Sequence, residues 1–342
     1  MQKLILHIGT QKTGTSAIQE VCSENRDLLL KQGINYSLFG RGPIDTPAHH
    51  AHHILSHKWA PGWLSGRIEA ETTDQVWNKF IASLEKHSTC HTTVISSEHF
   101  YKAGVMMPQA IQTLSDELDG KADTTVVVYF RRPDTFSLSN WAHGIKTQKN
   151  FAMSFEDYCK SDGLNALLSY QKNLEVWRKA FGAENVVPKI FNKRYFKDGD
   201  IVRDFLSIAG GHVTSEFRDV GSVNVSLSPF TLNALSCLDR SNIQNLGKFI
   251  DTIDSFVRDN FTKDDQKLSD PLTQEIASDI LKQHGPAYMD LAREILGEAE
   301  VLESLDPTLR NGTFEPVPEK WKALLVDVWQ AGNQAGRSPN VQ

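Results

Sequence analysis

MQKLILHIGTQKTGTS (residues 1–16) is a short apolar strand that runs straight into a loop of glycine, threonine and lysine. Leu4, Ile5, Leu6 and Ile8 make a buried-strand pattern, Gly9 and Gly14 bracket a tight turn, and TSAIQEVCSENRDLLL (residues 15–30) reads as a helix. A strand, a small-residue loop and a helix N-terminus together form a phosphate cradle, because free backbone N–H groups and the positive end of the helix dipole face one point. Lys12 adds a full positive charge there. In the G-x-x-x-x-G-K-[ST] loop the lysine follows the second glycine and the next hydroxyl holds Mg²⁺. Here the lysine precedes Gly14 by two positions, which argues against a site for triphosphate hydrolysis.

Two further stretches carry polar residues at strand ends. TTVVVYFRRPDTFSLSNWAHGIK (residues 124–146) opens with a β-branched and aromatic run typical of a parallel strand buried on both faces. Arg131, Arg132 and Pro133 end it, and a helix is expected from about Asp134. TTVISSEHF (residues 92–100) is a second β-rich run, Thr92 to Ser96, followed by Ser97, Glu98 and His99. In an open α/β sheet ligands bind outside the carboxyl ends of the strands, so Glu98 and His99 are expected on the same rim as Lys12 and Arg131.

In this order the motifs resemble those of sulfotransferases that use 3′-phosphoadenosine 5′-phosphosulfate (PAPS). The resemblance covers residues 1–211 and is weaker beyond. It implies an α/β, P-loop nucleotide-kinase-like three-layer fold, with a central parallel sheet flanked by helices and a helical C-terminal part. It assigns residues Gly9, Thr10, Gln11, Lys12, Thr13, Gly14, Thr15 and Ser16 to the 5′-phosphosulfate. It gives Arg131, with Ser139 eight residues on, to the 3′-phosphate; eight residues is about two helical turns, so the hydroxyl returns beside the guanidinium. Arg132 competes for that role, since neighbouring residues at a strand end point in opposite directions. Heparan-type carbohydrate sulfotransferases place a glutamate base after a comparable strand and small-molecule members a histidine, so Glu98 is the first candidate base and His99 the second. Lys12 and the loop amides would stabilise the leaving phosphate. Asn224 and Ser226, in GSVNVSLSP (residues 221–229), sit where the family often closes a loop over the nucleotide.

Composition sets bounds. At 342 residues and 40% hydrophobic the chain has ample core, and the strand and helix pattern fits one domain over 1–342, an α/β part over 1–211 and a mainly helical part over 212–342 that shapes the acceptor cleft. Residues 170–211 follow the family's order of helix, turn, strand and helix, with Trp177, Phe181, Val186, Ile190, Phe205 and Leu206 expected in the core. The most loop-like stretches are 37–66 and 305–318. A net charge of −6 disfavours nucleic acid and anionic membranes as partners and leaves a carbohydrate, glycolipid or small alcohol as the expected acceptor. Cys22, Cys90, Cys159 and Cys237 are widely spaced, as in reduced thiols. With no secretion signal or apolar span evident, a cytoplasmic enzyme is expected. Composition sets no oligomeric state.

His49, His50, His52, His53 and His57 invite a metal reading, but no known ligand spacing is complete. A structural or solvated cluster is expected, with an acceptor-binding segment and a metal site as the alternatives, and the family's transfer requires no metal. Trp59 and Trp63 are read either as sugar-stacking residues or as anchors for their loop. Rival readings are a nucleotide or metabolite kinase, which would need Mg²⁺ and a differently placed lysine, and a module that binds PAPS or its product adenosine 3′,5′-bisphosphate without catalysis.

Overall fold

The computed structural model describes residues 1–42, 49–59, 70–86, 90–218, 227–236, 238, 240–262 and 270–297. Five strands form one sheet: β1 (Gln2–His7), β2 (Ile34–Tyr36), β3 (Thr92–Ser96), β4 (Ala122–Phe130) and β5 (Val186–Ile190). Their order is β2-β3-β1-β4-β5 and every neighbouring pair is parallel. β1 is central, with Ile5 in register with Val94 on one side and Thr125 on the other. Chain connections leave β1 toward β2 and leave β4 toward β5, in opposite directions. The crevice where an open α/β sheet takes a ligand therefore lies at the carboxyl ends of β1 and β4.

The strands show why apolar runs became a parallel sheet. Leu4, Ile5 and Leu6 are fully buried, as are Val126 to Phe130, each side chain contributing about 1.5–3 kcal/mol when covered on its face. One face packs Ile5, Val127 and Tyr129 with Ile18, Cys22 and Phe205 from the helices Thr15–Glu24 and Ile201–Ile208. β5 carries Pro188, tolerated because an edge strand need not donate there. The helix Ile201–Ile208 starts where Asp200 accepts from the N–H groups of Val202 and Arg203, both at 2.9 Å.

Contacts divide the chain into two compact units. The first comprises 1–131, 169–223 and 290–297, and holds the sheet. The second comprises 132–168, 224–289 and 298–342. Its described part is helical, with Pro133–Thr147, Phe155–Cys159, Asp162–Leu168, Pro229–Ser236 and Leu246–Asn260. There the buried Arg240 guanidinium donates to the carbonyl oxygens of Ile145 and Phe151. Among the described residues no helix is long and apolar enough to cross a membrane.

Local departures from the sequence reading have identifiable causes. The helix expected over residues 15–30 breaks at Asn25 into Thr15–Glu24 and Arg26–Lys31. Asn25 adopts φ −107° and ψ 22°, its amide donates to Val21 O at 2.9 Å and its side-chain oxygen accepts from Arg218 N–H at 2.7 Å. β2 was not foreseen, being three residues long. Within the loop-like 37–66 stretch a short helix forms over His53–His57, while 60–66 and 305–318 lie outside the described residues.

Candidate active site

The loop after β1 gets its shape from three left-handed residues, Gly9 (φ 43°), Lys12 (φ 63°) and Gly14 (φ 74°). Glycine adopts this conformation freely, whereas a lysine there costs about 1–3 kcal/mol. A Cβ on Gly9 would lie 2.8 Å from Thr15 Oγ1, so the second requirement at that position is space. Thr10 Oγ1 donates to Tyr129 O at 2.8 Å and Thr13 Oγ1 to Thr10 O at 2.6 Å. These two hydroxyls are buried and hold the loop's form. Gly14 caps the following helix without a side-chain hydrogen bond, which leaves the first-turn N–H groups to an external acceptor. Gln11 and Thr15 are buried, Lys12 is half-buried and Ser16 is exposed.

At the end of the neighbouring strand, Arg131 Nη1 donates to Lys12 O at 3.0 Å, and Tyr170 Oη donates to Arg131 O at 2.8 Å. The guanidinium also lies 5.6 Å from the Phe191 ring centroid. Arg132, in the second unit, pairs instead with the fully buried Asp134, both contacts at 3.0 Å. The two adjacent arginines thus have different surroundings. Ser139 lies half-buried in the helix Pro133–Thr147. Asn224, Ser226 and Trp63 lie outside the described residues.

β3 ends in a polar network. Glu98 directly follows Ser97 and precedes the helix His99–Met106. Gln19, on the helix that leaves the phosphate loop, donates to Ser96 O (3.3 Å), Ser96 Oγ (3.2 Å) and Glu98 Oε2 (3.4 Å). His7 Nδ1 meets Ser96 Oγ at 2.8 Å, so the ends of β1 and β3 are joined through one hydroxyl. Burial alone raises a carboxyl pKa, but His53, His99 and the Gln19 amide outweigh it and hold Glu98 down at about 2. Burial, with His53 second, pushes His99 down to about 3. At neutral pH the neighbouring pair is therefore a carboxylate and a neutral imidazole.

The histidine-rich segment supplies residues that sequence reasoning did not assign. His52 is fully buried; its Nδ1 accepts from Ser96 N–H at 3.0 Å, and its Nε2 donates to Ser37 O at 2.9 Å. His53 reaches the β3 end: Nδ1 meets Ser97 Oγ at 2.8 Å, Nε2 lies 3.9 Å from Glu98 Oε1, and its ring stacks on His99 with centroids 4.2 Å apart. Gln19 and His53 were not assigned to this site because only the fold brings them to Glu98. Trp59 is buried edge-on against Trp77, centroids 5.3 Å apart; it is the anchor of the two readings, not a sugar platform.

No protein-family model matches the chain, and no curated protein matches it. Among solved structures, a sulfotransferase from Alicyclobacillus acidocaldarius aligns over 70% of this chain and 92% of its own, with 17% identity and a TM-score of 0.40. A likeness at that level carries no weight for function.

Proposed function

We propose that this chain moves a sulfuryl group from PAPS to a hydroxyl or amine of an acceptor. In that reaction the bond between sulfur and the 5′-phosphate oxygen breaks, an acceptor oxygen or nitrogen bonds to sulfur, and the acceptor's proton passes to Glu98. Adenosine 3′,5′-bisphosphate leaves. The observation that carries the reading is the 3.0 Å hydrogen bond from Arg131 to the Lys12 carbonyl. It joins the phosphate loop to the arginine of the neighbouring strand end at the crevice where the sheet's connections diverge. Lys12 and the loop N–H groups, from Gly9 to Ser16, would take the 5′-phosphosulfate and the charge that grows on the leaving oxygen. Arg131 suits the 3′-phosphate, because a planar guanidinium binds phosphate oxygens bidentately. Ser139 keeps the 3′-phosphate role that the sequence resemblance gives it.

The ionised Glu98 is ready to accept a proton at neutral pH, and the negative charge of a bound donor would raise its low pKa toward a more effective range. His99, neutral beside it, is the alternative base. A neutral sugar, glycolipid or small alcohol is the acceptor class we favour, in keeping with the acidic chain. The test is thermal stabilisation by adenosine 3′,5′-bisphosphate without Mg²⁺, compared with ATP plus Mg²⁺. The bisphosphate should stabilise by about 2.7 kcal/mol at a hundredfold excess over Kd, and labelled donor should then pass its sulfate to an acceptor found by screening. Stronger stabilisation by Mg-ATP would replace the reading with a kinase.

A further inference from the structure

We propose that His53, Glu98 and His99 bind a divalent transition ion of the zinc class through two imidazoles and one carboxylate. The ligating atoms of the three residues all lie within 4.8 Å of one another. His53 comes from the helix His53–His57, and Glu98 and His99 from the end of β3 and the start of the next helix. Sequence spacing therefore gave no ligand set, and the fold assembles one. His53 Nε2 and Glu98 Oε1 are 3.9 Å apart, too far for a hydrogen bond. Two ligands of a tetrahedral zinc, each about 2.0–2.1 Å from the ion, lie about 3.4 Å apart. Closure by about half an ångström would meet that distance.

Independent features orient the ligands. Ser97 Oγ holds His53 Nδ1 at 2.8 Å and is itself 3.0 Å from Ser56 Oγ, which turns Nε2 toward Glu98. An outer partner on the second ring nitrogen is the usual support of a metal-binding histidine. Gln19 occupies Glu98 Oε2 and leaves Oε1 on the His53 side. Lys102 is buried and acts electrostatically on both Glu98 and His99. Three protein ligands leave an open position, as in exchangeable zinc sites. On the transfer reading, an ion here and the acceptor's proton compete for Glu98, so the ion is an inhibitor and not a requirement.

The test uses the full chain, stripped of metal and without nucleotide, so its outcome does not depend on donor binding. Zn²⁺ titrated calorimetrically should bind one to one, and Co²⁺ should give the visible absorption of a four- or five-coordinate site. His53→Ala and His99→Ala should each weaken binding more than about 100-fold, and Ser97→Ala, which removes only an outer partner, by about 10–100-fold. The chain holds a second His/Glu group, Glu24, His49 and His50, and a His49→Ala/His50→Ala protein should keep the binding. Paramagnetic shifts of the His53 and His99 ring signals by Co²⁺ in the unaltered chain give a readout that needs no variant to fold. No binding with zinc in large excess would overturn the proposal. So would binding that survives loss of both His53 and His99, or that vanishes with His49 and His50.

Discussion

Lowering the pH from 7 to 5 should destabilise the folded chain steeply, with two fully buried histidines as large contributors and His99, also held low, adding in the same direction. His52 and His7 are fully buried, and burial, the largest cause in each, pushes their pKa values from 6.5 down to about 3 and about 4. For His52 the geometry says why protonation is resisted: Nδ1 already accepts the Ser96 N–H, so a proton there would set two donors face to face. In the unfolded chain both rings take up a proton near pH 6.5. The unfolded state therefore binds more protons below that pH, and stability falls as pH drops from 6.5 toward the folded pKa values. At pH 5 the gap is about 1.5 units, or about 2 kcal/mol for each histidine at 1.36 kcal/mol per unit. Together that is a large share of a typical stability of about 5–15 kcal/mol. Glu98 acts in the same direction but in a lower window, because its depressed pKa adds stability that is lost only as pH falls from about 4.5 toward about 2. Urea unfolding followed by tryptophan fluorescence at pH 8, 7, 6 and 5 measures the slope. His52→Gln should lower stability at pH 8 by about 1–3 kcal/mol through lost buried hydrogen bonds. Between pH 7 and 5 it should lose about 2 kcal/mol less than the parent. Equal slopes in the two proteins, or a His52 ring that titrates near 6.5 in the folded state, would refute the reasoning.

Arg131→Ala should weaken adenosine 3′,5′-bisphosphate by about ten- to a hundredfold, as expected for a lost charge-assisted contact of about 1.5–3 kcal/mol. Adenosine 5′-phosphate, measured in the same calorimeter, should lose much less; equal losses would make Arg131 only a support for the loop. Glu98→Gln should keep bisphosphate affinity and lower turnover by about 10²–10⁴, whereas near-normal turnover, with His99→Ala inactive, would hand the base role to His99. Gly14→Ala should destabilise by about 1–3 kcal/mol, because φ is 74° and the new Cβ would sit 3.2 Å from the Phe191 ring and 3.3 Å from Ile201. Chemical denaturation reads that directly.

Four of the five strands were legible in the sequence: 124–131 holds the β-branched and aromatic run of a strand buried on both faces, and 3–8, 92–97 and 185–191 are shorter stretches rich in β-formers. β2 is invisible in the sequence for a matching reason: Ile34–Tyr36 is too short to show any period. Strand ends are legible too, so Lys12, Arg131 and Glu98 were located by where their strands stop. What surrounds Glu98 was not legible. His53 and Gln19 belong to other segments, and only the sheet order, which sets β3 beside β1, brings them to the carboxylate. The break at Asn25 is of the same kind, decided by a bond to Arg218 that no local propensity contains.

Lys12 joins these two levels. Gly9 and Gly14 take up left-handed backbone at little cost, yet the loop places a third such residue at a lysine, where the strain is about 1–3 kcal/mol. Folding alone would favour glycine at that position. The turned backbone presents the Lys12 carbonyl to Arg131, which donates to it from the end of β4. The strain thus couples the positions of the two cations that the crevice between β1 and β4 would offer to a bound anion. Lys12→Gly separates the two effects. The glycine relieves the strain and costs about 0.5–1 kcal/mol of chain entropy, so stability should stay within about 1 kcal/mol of the parent in urea unfolding. Loss of the ammonium should still weaken the bisphosphate by at least about tenfold, as for other charge-assisted contacts. Unchanged bisphosphate affinity in a Lys12→Gly chain of normal stability would mean that the loop's backbone alone holds the phosphate, and that the lysine's strained place serves something else.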